Sequence, residues 1–229
     1  MSYPGKFIVI EAPDGAGKTT QVGLLCDYLT SKNIEHVRVR EPGGTPMGEK
    51  VRDVLKSDRT LTREAELLLL AACRAQLVND VIRPALKTGK VVIADRYLPS
   101  TIAMQYRPYG DNSTMAPLAK LMVDQYSYRP SEWGTVPDLT VFLHLPYDEL
   151  TARIEARGEP KDRFEENEGY RRKVYNAYWD LIHSSSYNSA QGVLYTKKRA
   201  VIDAKGLAQD KVAKLVRRHV DDCFSETLA

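Results

Sequence analysis

Hydrophobic and polar positions run along this chain in blocks that switch between a strand-like and a helix-like period. Phe7-Ile8-Val9-Ile10 is a continuous apolar, partly β-branched run bounded by Gly5 and a glycine-bearing loop, which predicts a buried strand. Helical spacing follows over 18–31. Residues 35–40 alternate around Val37 and Val39 and predict a second strand. Pro46 near the start of 46–57 predicts a short helix there. A long helical stretch is expected over 62–88, with Thr62 and Glu66 near its start, Gly89 at its stop, and Pro84 set to kink or interrupt it. Val91-Val92-Ile93-Ala94 is the third predicted strand, and two helices are expected within 98–128, interrupted by Pro108, Gly110 and Pro117. Pro137-Asp138 opens a fourth strand over 139–143. A helix over 147–156, a charged segment over 157–168 and a helix to about Ser184 follow. Residues 200–203 form the last predicted strand and 207–223 the closing helix. Strands alternating with helices predict an α/β fold, a parallel sheet covered on both faces. Such sheets bind ligands at the carboxyl ends of their strands, so the chemistry is expected just after strands.

Composition narrows the picture. A chain of 229 residues suits one domain with a well-buried core, and 43% apolar with 28% charged residues is ordinary for a globular protein. A net charge of +3 gives no basic surface of the kind a nucleic-acid binder carries, and Lys197-Lys198-Arg199 reads as a solvated turn. The first apolar run ends at Glu11 and the longest, 67–73, is too short to cross a bilayer, so neither a signal peptide nor a membrane partner is expected. Cys26, Cys73 and Cys223 are odd in number, widely spaced and without a metal-ligand pattern, which points to reduced thiols in a cytoplasmic setting.

The strongest motif directly follows the first strand: Glu11-Ala12-Pro13-Asp14-Gly15-Ala16-Gly17-Lys18-Thr19-Thr20. It matches the P-loop pattern G-x-x-x-x-G-K-[ST] between a strand and a helix, except that Ala12 stands where the first glycine belongs. Gly15 and Gly17 permit the backbone to turn successive N–H groups around phosphate oxygens, and the helix N-terminus adds its dipole. Lys18 is expected on the β- and γ-phosphates of ATP, and the Thr19 hydroxyl on Mg2+. Ala12 is acceptable only if its φ is negative. The motif alone leaves GTPases, motor ATPases, partition proteins and kinases open.

Two further features narrow the class. The third strand ends in Asp95-Arg96-Tyr97. An acid there organises the metal, and an adjacent guanidinium can clamp an incoming phosphate by paired hydrogen bonds. An acceptor that brings its own phosphate is a nucleotide. The segment over 153–168, with Arg153, Arg157, Lys161, Arg163 and a Gly-Glu-Pro break, is read as a small lid. A lid can exclude water and deliver positive charge to a moving phosphoryl group. Arg40-Glu41-Pro42-Gly43-Gly44-Thr45 makes a tight turn at the carboxyl end of the second strand, where a substrate loop belongs.

Taken in order, these residues resemble the thymidylate kinase family over nearly the whole chain. The matching pieces are the P-loop with its acid, Arg-Glu-Pro-Gly-Gly-Thr, Arg-Ala-Gln at 74–76, Asp95-Arg96-Tyr97 with Ser100 and Thr101, Pro137-Asp138-Leu139-Thr140, and the lid run ending Asp162-Arg163. The resemblance implies a P-loop NTPase-type three-layer sandwich with a parallel five-stranded sheet. It implies an ATP-dependent kinase that makes dTDP from dTMP on the way to dTTP, with Mg2+ as cofactor and a homodimer built on the long helices. It places Asp14, Gly15, Ala16, Gly17, Lys18, Thr19 and Thr20 on ATP, and Thr19 and Asp95 on the metal. It places Arg40, Glu41, Pro42, Leu70, Arg74, Arg96, Ser100, Thr101, Met104 and Gln105 around the acceptor. Arg96 would meet the acceptor phosphate, and Arg74, Thr101 and Gln105 the base. Asp14 would approach the sugar or the Mg2+. With Gly15 rather than a P-loop arginine after the acid, the chain resembles the bacterial branch, whose lid arginines, here Arg157 and Arg163, serve the transition state.

Three positions depart from the family pattern. Leu70 stands where an aromatic stacks on thymine, Cys73 where an acid commonly precedes the arginine, and Met104 where an aromatic crowds the sugar 2′ position. A looser base or sugar selectivity is expected, unless Tyr106 or Tyr109 supplies a ring. The rival readings are a monophosphate kinase for another base, a deoxynucleoside kinase using Glu41 as base, and a partner-driven ATPase switch.

Overall fold

The computed structural model describes residues 3–58, 60–106, 108, 135–158, 160–183 and 196–225. Strands β1 (Phe7–Glu11), β2 (His36–Arg40), β3 (Val91–Asp95), β4 (Leu139–His144) and β5 (Lys198–Asp203) form one sheet in the order β2-β3-β1-β4-β5. Every neighbouring pair is parallel. Between them run α1 (Lys18–Ser31), α2 (Pro46–Ser57), α3 (Arg63–Leu77), α4 (Arg83–Lys87), α5 (Leu98–Thr101), α6 (Tyr147–Ala156), α7 (Arg163–Glu166), α8 (Glu168–His183) and α9 (Gln209–Ser225).

Strand composition follows sheet position. β1 and β3 lie inside the sheet and are buried at every residue, which is why their sequences are continuous apolar runs. The edge strands β2 and β5 alternate instead. One sheet face presents Ile8, Ile10, Ile93 and Val141 to Val22, Leu25 and Leu29 of α1 and Val212, Val216 and Val220 of α9. The other presents Phe7, Val9, Val92 and Phe142 to Leu77, Ile82, Leu86, Val174, Tyr178 and Leu181. Fully burying each large apolar side chain contributes about 1.5–3 kcal/mol, so the three layers are held by two cores rather than by any local propensity. Asp138, ahead of β4, accepts the Phe7 backbone N–H at 2.8 Å and ties the starts of the two central strands together.

Helix starts follow their caps. Thr45 accepts the Gly48 N–H at 3.0 Å ahead of Pro46, and Thr62 accepts the Ala65 N–H at 3.2 Å. The helix expected over 62–88 is not continuous. It ends as α3 at Leu77, widens into a π turn over Val78–Ile82 and resumes as α4. In a regular helix the Pro84 ring would press on the Asp80 carbonyl, and widening the turn just before it relieves that clash. A second π turn, Ile102–Tyr106, follows α5. The rest of the helices expected over 98–128, Tyr109 and the Tyr106 side chain lie outside the described residues, as does Ser184 beyond the end of α8. The charged segment 157–168 contains α7, whose start is a capping box between Asp162 and Glu165.

Candidate active site

Register brings three strand ends together. Ile10 of β1 pairs with Asp95 of β3, which pairs with Arg40 of β2. The loops that follow these strands therefore converge on one edge of the sheet.

After β1 the chain turns through the P-loop. Gly15 and Gly17 have φ of 84° and 82°, a region in which a side chain is strained. A Cβ at Gly15 would also lie 2.7 Å from the Leu150 carbonyl oxygen of α6. Ala12 is buried and is not among the residues with positive φ, so a methyl group is tolerated where the pattern has glycine. Gly17 caps α1 without a side-chain bond, which leaves the first-turn N–H groups to an anion. Lys18 donates to the Pro13 carbonyl at 2.9 Å and lies 3.7 Å from Asp14 Oδ1. Burial, reinforced by the Arg96 charge, lowers the Lys18 ammonium to about 8, with Asp14 and Asp95 opposing. Thr19 Oγ1 donates to Asp95 Oδ2 at 2.5 Å. A hydroxyl and a carboxylate oxygen in contact fit a hard cation that takes its other ligands from phosphate and water.

After β3 the backbone passes through Arg96 at φ 75°, a left-handed position rare for a residue with a side chain. Its Nη1 donates to Ala12 O (2.8 Å), Ser100 Oγ (3.1 Å) and Tyr178 Oη (2.9 Å), and its Nη2 donates to Asp14 Oδ1 (2.5 Å). Burial raises the Asp14 carboxyl, but Arg96 and Lys18 outweigh it and hold that carboxyl well below the usual range. Beneath this loop Glu11, fully buried at the end of β1, accepts from Tyr97 N (2.7 Å), Ser100 N (3.2 Å), Ser100 Oγ (2.7 Å) and Tyr178 Oη (3.0 Å). Burial raises the Glu11 carboxyl, and Arg96 and these donors pull it back.

A cavity of about 250 Å³ opens at this edge. Of the expected residues, Asp14, Thr19, Glu41, Pro42, Leu70, Arg74, Arg96, Ser100, Thr101, Met104, Gln105 and Arg157 line it. Arg74 gives Nε and Nη2 to Glu41 Oε2 (2.8 and 2.5 Å) and Nη2 also to Thr101 Oγ1 (2.8 Å). Arg74 Nη1 and Glu41 Oε1 are buried with no hydrogen-bond partner among the described residues. Burial raises the Glu41 carboxyl and Arg74 opposes. Burial, helped by Glu41, pushes the Cys73 thiol up to about 11, so it stays protonated at neutral pH.

Gly15, Ala16, Gly17, Lys18, Thr20 and Asp95 belong to the phosphate loops and strand end beside this cavity and not to its wall, and two further expected residues face elsewhere. Arg40 is tied to Glu49 of α2, Nη2 to Oε2 at 2.6 Å, and does not line the cavity. Its neighbour Arg52 does, while donating to the Pro42 carbonyl at 2.9 Å. Arg163 donates to the Leu55 carbonyl (2.6 Å) and to Glu66 Oε2 (2.5 Å), and it too is absent from the cavity wall. Arg157 reaches Glu165 at 2.7 Å.

Sequence reasoning missed Glu11, Arg52, Tyr178 and Phe164. An acid closing an otherwise apolar strand was a signal for Glu11. Tyr178 and Arg52 carry none, because their direction depends on how α8 and α2 pack.

The comparisons with known proteins agree with one another. A family model described as "Thymidylate kinase" matches residues 10–192. A thymidylate kinase of Chromohalobacter salexigens is 36% identical over 229 residues, covering 99% of this chain and 98% of that protein. A thymidylate kinase of Pelotomaculum thermopropionicum is 42% identical over 180 residues, covering 77% of this chain and 80% of that protein. Among solved structures, a thymidylate kinase from Ehrlichia chaffeensis matches with a TM-score of 0.65 at 27% identity, covering 95% of this chain and 98% of the other.

Proposed function

The chain belongs to the thymidylate kinase family, and from that premise we propose that it transfers the γ-phosphoryl group of ATP to dTMP, giving ADP and dTDP. The observation that carries this reading is one cavity joining Thr19, Asp14 and Arg96 of the phosphate loops to Arg74, Thr101 and Gln105. A nucleotide needs both ends: cations for its phosphate and directed donors for its base.

The contacts support the following roles. Lys18 and the backbone N–H groups over 15–20 hold the donor phosphates. Thr19 and Asp95 would hold Mg2+, which, when bound, neutralises charge on the donor phosphates. Arg96, fixed to the P-loop through Ala12 and Asp14, clamps the acceptor phosphate. Arg74 keeps one buried N–H group for a carbonyl of the base. Asp14 sits where the sugar of the acceptor or the metal would come. The segment 153–168 acts as a lid within one domain, with Arg157 supplying positive charge to the transferred group and Arg163 fastening the lid to Glu66. No side chain need act as a strong base, because an acceptor phosphate is largely ionised near pH 7.

The protein is read as a homodimer. Ala65, Leu68, Leu69 and Ala72 share the outward side of α3 at helical spacing, and Leu68 is 52% exposed. A cytoplasmic setting is supported by the three free cysteines, and no helix among the described residues is long and apolar enough to cross a membrane.

The test is formation of ADP and nucleoside diphosphate with dTMP, dUMP, dCMP, dGMP and UMP supplied one at a time. Release of ADP that depends on dTMP is expected. Release indifferent to every monophosphate would overturn the kinase reading. With Leu70 and Met104 on the cavity wall, selectivity is expected to be loose. A preference for dTMP above about a hundredfold, or ~2.7 kcal/mol, would refute that part alone.

A further inference from the structure

Among the described residues lining the acceptor cavity, two carry aromatic rings, Tyr97 and Phe164. Tyr97 is fully buried and its ring is already engaged. Phe7 packs edge-on with centroids 5.0 Å apart, and the Arg74 guanidinium lies 5.0 Å over its face. Phe164 is different in origin and in support. It is the second residue of α7, so it belongs to the lid and not to the sheet or to α3. It lines the acceptor cavity, a smaller pocket beside Pro13, Asp14 and Met104, and an outer opening with Glu66, Arg163 and Tyr170, so the side chain stands where these meet.

The ring is held firmly. Asp162 Oδ1 accepts the Phe164 N–H at 3.0 Å, and the Tyr170 ring packs at 5.9 Å. The Arg163 guanidinium lies 4.3 Å over the ring while bonded to Glu66. Glu66 is itself buried, and its other oxygen accepts from Gln105 Nε2 at 3.0 Å. One carboxylate thus joins Gln105 of the cavity wall to the arginine that positions Phe164.

We propose that Phe164 is the ring that covers the acceptor base in this chain, a specificity-determining contact brought by the lid and placed by the Arg163–Glu66–Gln105 connection. This rests on the reading of the cavity as the dTMP site. It supplies the aromatic surface that Leu70 does not. It also links two events that are separate when the stacking ring stands on a fixed helix: an acceptor with a base stabilises the docked lid through Phe164, whereas a sugar phosphate without one does not.

The experiment compares the full-length wild type with Phe164→Leu, which keeps an apolar side chain but no ring, and Phe164→Ala. Four quantities are read: KM for dTMP, KM for ATP, kcat, and the inhibition constant of 2-deoxyribose 5-phosphate, the acceptor stripped of its base. Both variants should raise KM for dTMP about tenfold. KM for ATP and the inhibition constant should stay within about twofold of wild type. Phe164→Leu carries the test should Phe164→Ala melt at a much lower temperature. An unchanged KM for dTMP in Phe164→Leu would overturn the proposal. So would an equal weakening of 2-deoxyribose 5-phosphate, because the ring would then serve lid docking alone. Wild type that fails to use dTMP would overturn the functional reading and this proposal with it, an outcome visible before any variant is compared.

Discussion

Lys18 offers a sharp test because its cost and its use have opposite signs. The side chain is 6% exposed, and its ammonium is lowered from the ordinary 10.5 to about 8, first by burial and then by the Arg96 charge. That displacement corresponds to a penalty of about 3 kcal/mol on the charged form in the folded protein. Lys18→Met removes the charge while keeping an unbranched side chain. It also loses the 2.9 Å bond to the Pro13 carbonyl, worth about 1 kcal/mol. Asp14 keeps its bond to Arg96. The variant should therefore be about 1–2 kcal/mol more stable than wild type near pH 7, while turnover falls by roughly a hundredfold or more. The pH dependence fixes the cause. Between about 8 and 10.5 the unfolded chain binds the Lys18 proton more tightly than the folded one, so wild-type stability rises with pH through that window. The penalty is present in full below it, so the advantage of Lys18→Met should shrink as pH rises from 8 towards 10.5. Urea unfolding of both proteins at the two ends of the window measures this directly. A variant no more stable than wild type near pH 7, or an advantage indifferent to pH, would refute the reasoning.

Two other perturbations have definite outcomes. Glu11→Ala leaves the Tyr97 and Ser100 N–H groups buried without their acceptor, at about 1–3 kcal/mol each. Urea unfolding should show a loss of several kcal/mol, and a loss under about 0.5 kcal/mol would mean that these groups find other partners. Leu68→Glu places a charge on the exposed face of α3 and should convert a dimer to a monomer in sedimentation equilibrium at micromolar protein, with little change in melting temperature. A wild type already monomeric there would remove the dimer reading.

Much of the fold was legible because it rests on short-range patterns. The unbroken apolar runs of β1 and β3 and the alternation in β2 mark inner and edge positions, and the glycines of the P-loop mark a turn that side chains would strain. The π turn over Val78–Ile82 was not legible in detail: Pro84 signals that a helix must yield, but not that it yields upstream by widening. Arg40 faces away from the cavity because Glu49 of α2 claims it, a pairing set by how α2 packs and not by the Arg-Glu-Pro-Gly-Gly run. Arg163 was read as a transition-state cation, and its bonds to Leu55 and Glu66 depend in the same way on where the lid docks. The position of Phe164 did have a signal. Asp162 and Glu165 stand three apart as a capping box, which starts a helix inside what otherwise reads as a charged connection.

The phosphate end of the site is one bonded unit, and that bears on how it works. A left-handed residue such as Arg96 costs about 1–3 kcal/mol. Here the turn is imposed from below, since Glu11 holds the N–H groups of Tyr97 and Ser100 on the far side of Arg96. It is imposed from above as well, since the guanidinium is bonded to Ala12 and Asp14 of the P-loop. On the proposed roles, the clamp for the acceptor is thereby bonded directly to the cradle for the donor. In-line transfer between two anions would gain from this in the way expected of preorganised charge, with cations fixed before the reaction and little reorganisation left to the chemical step. The same fixity has a cost at binding. An acceptor phosphate must share Arg96 with Asp14, whose carboxyl the guanidinium holds ionised far below neutral pH. On the proposed reading the acceptor's phosphate meets a cation and an anion together, and Arg52, Lys56 and Arg157 on the same cavity wall supply the positive charge that offsets Asp14.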